Sequence, residues 1–139
     1  MKQEDKELLL KDLCSRLPYK VKCKYSGEIP MIGEVTNNIG VLSNIYVDKD
    51  CPFEINGGIY GFADVKPYLR PMSSMTEEER KEYTSYVFEQ PFLQKDKDIN
   101  LGSVPICIDW LNKNMFDYRG LIEKNLALEA SEGMYNLND

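Results

Sequence analysis

Three carboxylates, Asp109, Asp117 and Glu123, fall in the most aromatic stretch of this chain, with Arg119 among them and Arg70 upstream. Two acids beside a guanidinium are what a small acid–base site with an anion clamp would use. Helix-surface charge plus an Asp117–Arg119 turn contact explains the same residues without any site, and that reading weighs more because acids leave no diagnostic spacing. A second group is Lys20, Lys22 and Lys24. Spaced by two on a strand, these cations share one side and could meet successive phosphates. Against this nucleic-acid candidate, no aromatic or arginine is interleaved to stack bases, and lysine rows also guard sheet edges. A third group is Tyr68-Leu69-Arg70-Pro71, preceded by Pro67. The prolines favour extended backbone and lower the ordering cost of contact, which makes this segment the preferred partner-binding candidate. Nine tyrosines, each a rigid surface with a polar tip, point the same way.

Other chemistries fail on residue type. The chain has no histidine, which removes His-dependent triads and His-based metal sites. Cys14, Cys23, Cys51 and Cys107 form no CxxC pair and read as reduced, mostly buried thiols; zinc would need all four to converge from scattered elements. Asp48-x-Asp50 begins like a calcium loop, but Phe53 and Ile59 stand where glycine and glutamate are required. Gly57-Gly58 and Gly61 match no phosphate-loop pattern. No metal and no cofactor is therefore expected, and the balance tilts away from an enzyme. A net charge of −6 disfavours nucleic acid and anionic lipid. No apolar run approaches the ~18 residues of a membrane span, and the mixed-charge start does not read as a signal peptide, so a cytoplasmic setting is expected.

The elements that must position these residues are partly legible. At 139 residues the chain reads as a single α+β domain, 1–139. Leu9, Leu10, Leu13, Cys14 and Leu17 make one stripe of a helix over 4–17, stopped by Pro18. Residues 20–70 read as strand-rich. Val21, Cys23 and Tyr25 alternate with the lysines, and short strands follow at Met31–Thr36, Val41–Ser43, Ile45–Asp48, Phe53–Ile55 and Ile59–Phe62. Asn37-Asn38, Lys49-Asp50 and Asn56-Gly57 read as the turns between them, the last a type I′ hairpin signal. This pattern predicts a small antiparallel β-barrel or curled sheet, with an SH3-like barrel one form of it, flanked by an N-terminal helix and two or three C-terminal helices. Residues 76–130 read as helix-rich. Thr76-Glu77-Glu78-Glu79 is a capping box opening a helix over Thr76–Glu89 that ends at Gln90-Pro91. Phe92–Gly102 reads as a loop. A third helix starts near Ser103 with Ile106, Cys107, Trp110, Leu111 and Met115 on its buried stripe, and Leu121–Ala130 fits helix or strand equally.

KPYLRPMSSMTEEERKEY (Lys66–Tyr83), DWLNKNMFDYRGLI (Asp109–Ile122) and LALEASEGMY (Leu126–Tyr135) resemble a family of small uncharacterised proteins of gut Bacteroides and their prophages or mobile elements. The resemblance covers the C-terminal half and implies a bacterial or phage cytoplasmic setting. It brings no activity, cofactor or site residue. The expectation is thus a protein-interaction module with another protein as its partner, with a lysine-strand nucleic-acid protein and a carboxylate enzyme as the alternatives.

Overall fold

Helix α1 runs Gln3–Arg16, opened by Glu4 and Asp5 at its positive end and closed before a 3-10 turn over Leu17–Tyr19 that holds Pro18. The computed structural model describes residues 1–29, 34–88 and 104–135. The predicted strand start at Met31, the helix end at Gln90-Pro91, the loop 92–102, the helix start at Ser103 and the tail beyond Tyr135 lie outside the described residues.

Among the described residues six strands follow or interleave: β1 Lys22–Ile29, β2 Glu34–Ile45, β3 Phe53–Ile55, β4 Gly58–Tyr60, β5 Val65–Leu69 and β6 Leu128–Glu129. They form one sheet in the order β4-β3-β2-β1-β5-β6, antiparallel except for the parallel β5–β6 pair. The sheet is open, with β4 and β6 at its ends, so the predicted barrel does not form. Two local reasons are visible. Asn37-Asn38 is no turn but lies inside the long strand β2, where residues 34–41 pair continuously with β1. The last strand joins in parallel, which extends the sheet rather than closing it. Asn56-Gly57 is the expected hairpin turn, with φ of 52° and 81°. The sheet's irregularity sits in β2, where the register against β3 shifts between Leu42 and Asn44.

The inner face of the sheet carries Val21, Cys23, Tyr25, Leu42, Phe53, Ile55, Val65 and Leu69, and Leu9 and Leu13 of α1 pack against it. Strand alternation thus worked where it was strict. The opposite face pairs Lys22 with Val41 and Lys24 with both Ile39 and Lys66. Ile39 and Val41 remain exposed there.

Helix α2 spans Glu77–Phe88 and α3 spans Val104–Lys113. The capping box at the start of α2 is complete: the Glu79 amide donates to Thr76 Oγ1 at 3.1 Å, and the Thr76 amide donates to Glu79 Oε1 at 3.0 Å. Trp110 and Leu111 of α3 join Phe116 in a second core cluster, with Met75, Tyr83, Tyr86 and Tyr118 packed around it. Ile106 is exposed rather than buried, and Cys107 only half-buried. The stretch 121–130, read as part of a helix-rich half, is a turn leading into β6. Asn125 takes positive φ in that turn.

Candidate functional site: the aromatic cleft of α2 and α3

The acids singled out by sequence do not assemble into an acid–base pocket. Asp117 is buried, and its two oxygens accept from the Leu121 and Ile122 amides, each at 2.9 Å. It caps the turn after α3. Asp109 and Glu123 are exposed. Arg119 turns away from Asp117 and donates to Asp12 of α1 at 2.8 Å and to Ser15 Oγ at 3.2 Å. The expected Asp117–Arg119 contact is replaced by a long-range one.

The lysine row is broken as well. Lys20 sits outside β1 with φ of 60°. Lys22 Nζ donates to the Met134 carbonyl at 2.6 Å and lies 5.6 Å from the Tyr135 ring centroid, so the C-terminal segment covers it. Lys24 stays on the outer face opposite Lys66. β1 is an interior strand, which removes the edge-guarding role.

The segment Tyr68–Pro71 is not an exposed extended loop. Tyr68 and Leu69 belong to β5, Pro67 and Leu69 are buried, and the Tyr68 carbonyl accepts from Tyr135 Oη at 2.8 Å. Arg70 and Pro71 keep partial exposure. Arg70 instead acts as a tie. Its amide donates to the Met115 carbonyl at 2.7 Å, and its carbonyl accepts from the Asp117 amide at 2.8 Å. Its guanidinium lies 4.2 Å from the Phe116 ring centroid and grips both oxygens of Glu79 at 2.6 and 2.7 Å. Those hydrogen bonds hold the Glu79 carboxyl below its ordinary range, with partial burial opposing and the Thr76 cap adding to the shift. The four cysteines are free thiols, and only Cys23 is buried, against the expectation that most would be.

What the fold brings together instead is aromatic. Trp110 stacks on Phe116 at 5.6 Å and 17°, and Tyr83 meets Trp110 at 5.5 Å. The periodicity of α3 places Trp110 and Leu111 toward Phe116, while α2 contributes Tyr83 and Tyr86 one turn apart. Beside this cluster opens a cleft of about 330 Å³ lined by Tyr19, Glu82, Tyr86, Ile106, Asp109, Trp110, Lys113 and Asn114. Sequence reasoning named Ile106, Asp109 and Trp110 but not Tyr19, Glu82 or Lys113. Glu82 and Tyr86 stand four apart on α2, as do Asp109 and Lys113 on α3, so each helix alone shows its half; their convergence is tertiary.

Comparison with known proteins adds no relative: no family model, no curated protein and no solved structure matches this chain.

Proposed function

We propose that this chain is a non-enzymatic protein-interaction module that works in the cytoplasm and docks a protein partner on its α2–α3 side. The observation that carries this reading is the cleft itself. Its walls mix the rings of Tyr19, Tyr86 and Trp110 with the polar tips of Glu82, Asp109, Lys113 and Asn114, Ile106 is 43% exposed at its rim, and Asp117, the acid expected to work with Asp109, is committed to backbone amides. Large, rigid aromatic surface with polar tips is the usual material of a contact site. The four free thiols support a reducing setting. The resemblance to proteins of gut Bacteroides prophages and mobile elements favours a host or phage protein as the partner.

A nucleic-acid reading keeps one specific support, the partly exposed cross-strand pair Lys24–Lys66 on the outer sheet face. One experiment separates the two. Tagged protein is exposed to native bacterial lysate with and without nuclease, at low and high salt. A discrete protein band that survives both treatments, and weakens with Ile106→Asp, is the expected result. Material lost on nuclease or salt treatment moves the function to the lysine face, and empty beads overturn the module reading.

A further inference from the structure

Resting on that reading, we infer that the α2–α3 cleft receives an arginine side chain of the partner protein. The argument begins with which acids are already committed. Glu79 is gripped by Arg70, Asp117 by two amides, and Asp12 by Arg16 and Arg119. Glu82 and Asp109 are different. Among the described residues neither forms a salt bridge, and the Glu82 side chain accepts only a long 3.4 Å hydrogen bond from Tyr86 Oη. Both line the same cleft as Tyr19, Tyr86 and Trp110. Two carboxylates with open acceptor positions beside aromatic rings suit a flat, weakly hydrated cation, which can stack on a ring while its N–H fork reaches the acids. A lysine ammonium fits less well, being compact and strongly hydrated.

The third charge in the cleft, Lys113, tests the assignment. It lies four residues after Asp109 without pairing to it, so it repels an incoming cation and leaves the cleft with one net negative charge. An anionic guest would have to displace or outweigh two carboxylates. A purely apolar guest would leave both acids poorly solvated with nothing gained.

The probe is acetyl-Gly-Arg-Gly-amide titrated at low salt into the intact, isotope-labelled protein, followed by amide and indole NMR shifts. Trp110 is the sole tryptophan, so its indole reports without ambiguity. The arginine peptide is expected to shift the Trp110 indole and the amides around Glu82 and Asp109. The isosteric citrulline peptide should not. Glu82→Gln with Asp109→Asn should weaken the response by about fivefold, the size of one exposed ion-pair or cation–π contact, and Lys113→Gln should strengthen it. Equal response to citrulline, or a response untouched by the double variant, overturns the inference. Retention of a lysate protein through Ile106 without any arginine response removes this inference and leaves the module reading standing; loss of both removes both.

Discussion

Asp12, Arg16 and Arg119 form a largely buried ionic cluster. Asp12 and Arg16 are wholly buried, and Asp12 accepts from Arg16 Nε at 2.9 Å, Arg16 Nη2 at 3.1 Å and Arg119 Nη1 at 2.8 Å. Arg16 Nη2 also donates to the Phe116 carbonyl at 2.6 Å, while its Nη1 is buried without a hydrogen-bond partner among the described residues. Two cations thus rest on one carboxylate. Asp12→Ala is expected to cost about 3–5 kcal/mol, because it strands buried charge, and Asp12→Ala with Arg16→Met should recover much of that loss. Urea unfolding midpoints of the two variants decide it; equal destabilisation would show that the charges contribute little. This network was hidden in the sequence, since an i, i+4 acid–arginine pair ordinarily reads as a solvated helix surface. A signal was present nonetheless: positions 12 and 16 fall in the same stripe as Leu9 and Leu13. The partner Arg119 lies over a hundred residues away, beyond the reach of any local pattern.

Helix α2 shows the opposite case at the scale of an element. Its capping box was legible because all its chemistry lies within four residues, and both reciprocal hydrogen bonds are made. Thr76→Ala should cost about 1 kcal/mol, read as a lower thermal midpoint. Glu79 does more than cap, for it also holds Arg70. A carboxyl whose folded pKa lies below its unfolded value contributes stability above the ordinary glutamate pKa and loses it as pH falls through the lower, folded value. Stability of the wild type should therefore fall across that acid window more steeply than that of Glu79→Gln; parallel curves in acid titrations of unfolding would refute the linkage. In the sheet, strand β2 runs on through Asn37-Asn38 because its pairing to β1 outweighs the turn preference of asparagine. Gly40 sits within that pairing, opposite Cys23. A Cβ there would lie 2.7 Å from Ile55 Cγ2, 2.9 Å from Asn56 Nδ2 and 3.0 Å from Tyr25 Cε1. Gly40→Ala should cost about 1–3 kcal/mol by crowding, and should weaken the 2.8 Å hydrogen bond from Asn56 to Tyr25 Oη. An unchanged denaturation midpoint would mean that this corner yields freely.

Across the whole molecule, the fold class followed from local patterns, whereas sheet closure and the composition of the cleft did not. Local pattern left Leu128-Glu129 open between helix and strand; those residues become a strand by pairing with the edge that β5 offers. Tyr135 then fastens this end of the sheet. Its hydroxyl accepts from the Lys22 amide at 2.9 Å and donates to the Tyr68 carbonyl at 2.8 Å, and burial pushes its phenol well above the usual tyrosine range. Tyr135→Phe should destabilise by about 1–3 kcal/mol and speed hydrogen exchange at the Lys22 amide; unchanged exchange would locate the fastening elsewhere. The link from α1 to Phe116 and Arg119 also has a consequence for biosynthesis. Helix α1 is made long before residues 116–119, yet its buried Asp12–Arg16 pair is completed only when the Phe116 carbonyl and Arg119 have been added. Until then, docking α1 on the sheet would bury Arg16 without its carbonyl and Asp12 without its second arginine. Helix α1 is thus held back from committing early, and the nascent chain completes its main core as a late, cooperative event rather than element by element.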